Sequence, residues 1–182
     1  MDVVPTRIPD VVLLKPRVFR DERGYLFESW NRSRFLDAGI AVEFVQDNHS
    51  HSEQWVLRGL HYQVQQAQGK LVRVSRGAVF DVAVDLRRSS PTFGAWVGTE
   101  LSEQNNHMLW IPPGFAHGFL ALTGSVDVMY KATELYAAQH ERTIAWNDPR
   151  LAIDWPLPPG TSPLLSAKDA RGGDFASAEC FR

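Results

Sequence analysis

The chain has 182 residues, 44% hydrophobic and 22% charged, which suits one domain with its own core. A formal net charge of −2 gives no global field toward nucleic acid or anionic membrane, and no apolar run is long enough to span a bilayer. The single cysteine, Cys180, cannot form an intrachain disulfide, and the N-terminus lacks a basic stretch followed by an apolar run, so a reducing, cytoplasmic setting is expected.

In chain order the pattern is mostly strands. Residues 10–19 and 24–30 are apolar-rich and separated by the polar turn Arg20 to Gly24. Asn31 to Ala38 reads as a short helix, capped by Asn31 or Ser33 and ended by Gly39. Strands are then expected near 42–50, 55–63, 70–76, 78–86, 94–101, 107–111, 115–122 and 126–134. Residues 78–86 alternate most clearly, with Phe80, Val82, Val84 and Leu86 on one face and Asp81 and Asp85 on the other, among Val79 and Ala83. The remainder holds turns, prolines and a short helix near 166–171, and the tail after Arg171 is expected to be loosely held. Many short strands without a linker or repeat argue for one all-β sandwich or barrel.

Two stretches resemble the paired motifs of a cupin jelly-roll barrel: Gly59-Leu60-His61-Tyr62-Gln63, running on to Gly77, and Pro112-Pro113-Gly114-Phe115-Ala116-His117. Metal-binding cupins place a second His where Gln63 stands and a Glu shortly after, and no Glu occurs between 61 and 77. His61 and His117 alone are too few for a metal site, so no metal and no cofactor are expected. Each is either a satisfied core residue or part of a site in which a lone His acts as general base. Lys70 shares strand parity with Val72 and Val74, and Tyr130 with Val126 and Val128. An inward Lys is a functional cation or a snorkelling edge residue, and an inward Tyr is a proton donor or a core residue. Ser166-Ala167-Lys168-Asp169 matches a capping box, which gives Asp169 a local structural reading. Only four of nineteen basic residues are lysines; the arginine excess reflects genomic bias or bidentate phosphate recognition.

From about Phe19 to Asp169 the chain resembles the dTDP-4-dehydrorhamnose 3,5-epimerases, metal-free cupins of rhamnose biosynthesis. The blocks that carry this are Phe19 to Gly24, Gln46-Asp47-Asn48, Leu57 to Gln63, Gln68 to Val72, Phe80 to Arg87, Pro112 to Phe119, Tyr130-Lys131, Trp146 to Pro149 and Leu165 to Asp169. The resemblance implies His61 as proton acceptor, Asp169 as its orienting partner, Tyr130 as proton donor from the opposite face, and Lys70 beside the sugar carbonyl. It implies His117 lining the same site, Arg23 and Arg58 at a diphosphate, Gln46, Asp47 and Asn48 around the nucleotide, and Tyr136 stacked near the thymine. Glu28, Glu141 and Lys168 are further ligand positions. The implied substrate is a dTDP-4-keto-6-deoxy sugar, inverted at C3 and C5, and the implied assembly is a homodimer with crossing N-terminal strands. A mono-epimerase would keep the same His, Lys and Asp; a metal-dependent cupin and a non-catalytic nucleotide-sugar binder are more distant rivals. Arg58 and His61 are three apart, so a regular strand would turn them to opposite faces, and a bulge at Gly59 is expected if both reach one ligand.

Overall fold

A computed structural model describes residues 1–182. Its strands are β1 (Asp2–Pro5), β2 (Val12–Lys15), β3 (Phe19–Asp21), β4 (Gly24–Leu26), β5 (Gln46–Glu53), β6 (Leu57–Gln63), β7 (Lys70–Arg76), β8 (Ala78–Asp85), β9 (Trp96–Ser102), β10 (Met108–Ile111), β11 (Phe115–Ala121), β12 (Ser125–Ala132) and β13 (Glu141–Thr143). One α-helix, α1 (Arg32–Asp37), is capped by the Asn31 side chain, which accepts from the Arg34 N–H.

Two antiparallel sheets build the jelly-roll barrel expected from the sequence. One has the order β1-β2-β10-β7-β12-β5, the other β13-β6-β11-β8-β9, and β3 pairs only with β4. The inter-sheet core holds Val72 and Val74, Val79 and Ala83, Phe115 and Phe119, and Val126 and Val128. Strand alternation makes this possible: each of these pairs sits two or four residues apart on one face of its strand. The opposite face of β8, with Val82 and Val84, packs under Ile144, Leu151 and Trp155 from the chain beyond β13. Helix α1 covers the outer face of the other sheet, where Phe35 meets Leu14, Leu71 and Met108. Apolar side chains fully buried in this way contribute roughly 1.5–3 kcal/mol each.

Four expectations are corrected. The strand expected near 42–50 lies at Gln46–Glu53. It pairs with β12 along its whole length, and His51 hydrogen-bonds Asp127 across the ladder at 2.8 Å. The helix near 166–171 is a single 3-10 turn at Asp169–Arg171. Strands β1 and β13 were not anticipated, being too short to show a period. The tail is not loose: Gly173 bridges Ile144, Phe181 exchanges backbone hydrogen bonds with Leu86 and Arg88, and Phe175 and Phe181 pack on the outer layer.

Candidate active site

The site forms at one end of the barrel, where β6 departs from regular pairing. His61 lies opposite His117 and Arg58 opposite Phe119, so three steps along β6 match two along β11. The extra residue is the bulge expected at Gly59. Only glycine fits: φ is +120° there, and an added Cβ would lie 2.6 Å from the Gly118 Cα. Past the bulge Arg58 crosses to the other sheet, where its guanidinium donates to Ser52 Oγ at 3.1 Å and the His51 carbonyl at 2.8 Å.

His61 Nε2 lies 2.5 Å from Asp169 Oδ1. The same carboxylate accepts the Ser166 hydroxyl at 2.7 Å and the Gly59 N–H at 3.3 Å. Burial pushes the Asp169 carboxyl up, but the hydrogen bonds from His61 and Ser166 outweigh it and hold it below the ordinary range. An ionised carboxylate only accepts, so Nε2 carries a proton, and in the neutral imidazole the lone pair of His61 is on Nδ1. The capping-box reading also holds, since Ser166 Oγ accepts the Asp169 N–H at 3.1 Å. One residue therefore closes a turn and orients a histidine.

Beside it stands a second pair. His117 Nε2 lies 2.9 Å from Asp81 Oδ2, with Asp81 fully buried. No local motif marks Asp81. The signal was present: a carboxylate on the face of Val79 and Ala83 is as anomalous as a lysine on the face of Val72 and Val74.

Lys70 and Tyr130 project from the facing sheet. Lys70 is 9% exposed, with its Nζ 5.9 Å from the Tyr130 ring centre. Burial lowers the Lys70 ammonium to about 8, opposed by the nearby Asp81 and Glu141 carboxylates. Burial raises the Tyr130 phenol, as does Glu141, which keeps the hydroxyl protonated. On the same wall the inward face of β5 carries Gln46, Asn48, Ser50 and Ser52.

At the mouth, Glu141 accepts Tyr136 Oη–H at 2.9 Å and Lys168 Nζ–H at 2.8 Å. Burial favours its neutral form, but these hydrogen bonds prevail and hold the carboxyl below its usual range. Gln46 Oε1 accepts the Tyr136 N–H at 2.9 Å, and its Nε2 donates to Asn48 Oδ1 at 2.9 Å. Gln63 faces neighbouring loops: it accepts the Ala137 N–H and donates to the Gln66 and Leu135 carbonyls.

Three expected site residues are not brought to this cluster. Asp47 alternates to the outer face of β5, where it pairs with Lys131 at 2.9 Å. Arg23 pairs with Asp21 inside the β3–β4 hairpin at 2.6 Å. Glu28 holds Arg34 at 2.9 Å and accepts from Asn31.

Residues 5–177 match the family model of dTDP-4-dehydrorhamnose 3,5-epimerase. A Pseudomonas aeruginosa protein of that name is 61% identical over 175 residues, covering 96% of each chain. A Legionella pneumophila 3,5-epimerase, solved with dTDP-4-keto-L-rhamnose, superposes with a TM-score of 0.94 at 49% identity, covering 98% of this chain and 94% of that one. A 3'-monoepimerase from Streptomyces bikiniensis, solved with dTDP-quinovose, is 32% identical with a TM-score of 0.88, covering 94% of this chain and 87% of that one. The chain belongs to the dTDP-4-dehydrorhamnose 3,5-epimerase family.

Proposed function

We propose that this enzyme inverts C3 and C5 of dTDP-4-dehydro-6-deoxy-D-glucose, giving dTDP-4-dehydro-L-rhamnose. The observation that carries the reading is the placement of a base and an acid on facing walls. His61, oriented by Asp169, lies on one sheet; Tyr130 and Lys70 lie on the other. Both protons to be moved are α to the 4-keto group. His61 Nδ1 takes one, and the electron pair of the broken C–H bond passes to the carbonyl oxygen. The Lys70 ammonium, buried in the facing wall, stabilises that enolate electrostatically. The Tyr130 phenol returns a proton to the carbon from the opposite side, and the centre is inverted. General acid–base groups of this kind contribute about 10²–10⁴-fold each. Arg58, pinned by Ser52 and His51, offers a fixed fork for the diphosphate.

The reading includes a homodimer. The β3–β4 hairpin pairs with no other strand and leaves Phe19 and Leu26 51% and 67% exposed. Arg23 and Glu28, carried by this arm and the segment after it, reach a ligand in the partner's site. A cytoplasmic setting accords with the lone cysteine.

Incubating the enzyme with the 4-keto substrate in heavy water tests the reaction. Deuterium entering at both C3 and C5 supports it. Entry at one carbon selects the mono-epimerase reading, as in the Streptomyces bikiniensis relative, and no entry rejects both. Tyr130→Phe is expected to keep exchange while losing inversion.

A further inference from the structure

Gln63 occupies the position that gives metal cupins their second histidine, and its side chain is committed elsewhere. It is 4% exposed, at the end of β6 and opposite Glu141 in the ladder. Oε1 accepts the Ala137 N–H at 2.8 Å. Both amide hydrogens are also used: Nε2 donates to the Gln66 carbonyl at 2.8 Å and the Leu135 carbonyl at 3.2 Å. A backbone N–H can only donate, so Ala137 fixes the orientation of the amide.

These contacts bracket one residue. Leu135 and Ala137 flank Tyr136, whose own N–H goes to Gln46 and whose hydroxyl goes to Glu141. The residue is nonetheless 54% exposed. A surface aromatic held by its backbone on both sides and by its hydroxyl loses little freedom when a flat ligand stacks on it. Gln63 also holds the turn before β7, where Gln66 adopts φ +51°, a conformation a residue with a side chain seldom keeps unaided.

We infer that Gln63 is a positioning residue, which presents the Tyr136 ring to the nucleobase by clamping the backbone on either side of it. This rests on the reading of Tyr136 as the aromatic at the thymine. It assigns Gln63 to nucleotide affinity and not to the proton transfers.

The test is a double-mutant cycle on dTDP binding by calorimetry. Gln63→Ala and Tyr136→Ala should each weaken dTDP about tenfold, and the double variant should stay within about threefold of Tyr136→Ala. Turnover at saturating substrate should change less than about threefold in Gln63→Ala. Additive losses, near a hundredfold in the double variant, or a collapse of turnover with unchanged affinity, would overturn the inference. Should Gln63→Ala fail to fold, Gln63→Glu keeps an acceptor for Ala137 and lacks both donors, and the same cycle applies. A wild-type protein that does not bind dTDP would sink the substrate reading alone. The clamp is then decided by hydrogen exchange at the Ala137 amide, which must quicken in Gln63→Ala, where its acceptor is gone; unchanged protection there contradicts it.

Discussion

Asp169 and His61 are 108 residues apart in sequence and 2.5 Å apart in space. Asp169 is fixed by the Ser166 hydroxyl, and the turn after it is fixed by Gly172, whose Cα leaves no room for a Cβ against Ala145. Replacing the carboxylate with an amide removes the group that sets the imidazole tautomer while preserving its shape. Asp169→Asn should lower turnover about 10²–10⁴-fold and leave dTDP affinity within about twofold. Steady-state kinetics and calorimetry check this; a comparable loss of dTDP affinity would contradict an orienting role.

Lys70 gives a pH dependence with opposite signs for activity and stability. Its native value of about 8 lies below the ordinary 10.5, chiefly because of burial. Between those values the unfolded chain holds more protons than the native one, so the stability linked to this group rises with pH across that window. In the proposed mechanism Lys70 acts as the ammonium, so activity should fall as pH rises through about 8. Lys70→Met should therefore melt higher than wild type at neutral pH while turning over at least about a hundredfold more slowly. An alkaline limb appearing only above about pH 10 would argue against Lys70 as the enolate partner.

In the proposed homodimer the β3–β4 arm predicts complementation between subunits. His61→Ala and Arg23→Ala should each be nearly inactive alone. If Arg23 serves the partner's site, a mixed dimer has one intact site. Random exchange of equal amounts should then restore about a quarter of wild-type activity. No recovery, with subunit exchange verified by mass, would place Arg23 in the site of its own chain.

Much of the barrel was legible in the sequence because paired strands advertise themselves by parity. Val72 and Val74 carried Lys70 inward, and Val126 and Val128 carried Tyr130. The three-residue spacing of Arg58 and His61 called for a bulge, and the ladder has one. What parity could not reach is contact between distant segments. Asp169 looked like a helix cap because the local hydrogen bond to Ser166 is real, while its bond to His61 depends on the closed fold. Alternation placed Asp81 on the face of Val79 and Ala83, but its partner His117 comes from another strand, 36 residues on, and only the closed fold brings the two together. The tail has no period, and its order comes from Phe181 packing near Tyr62, at 6.2 Å between ring centres, and from backbone bonds to β8's end.

That packing is itself testable. Phe181→Ala should destabilise the protein by about 1–3 kcal/mol in urea unfolding. A free, unpacked tail would show no change.

The central claim is that His61 is the base. The most direct measurement is deuterium incorporation into the 4-keto substrate by His61→Ala in heavy water, with dTDP binding measured on the same sample. The account predicts binding close to wild type and no exchange above background at C3 or C5. Exchange at the wild-type rate would contradict it.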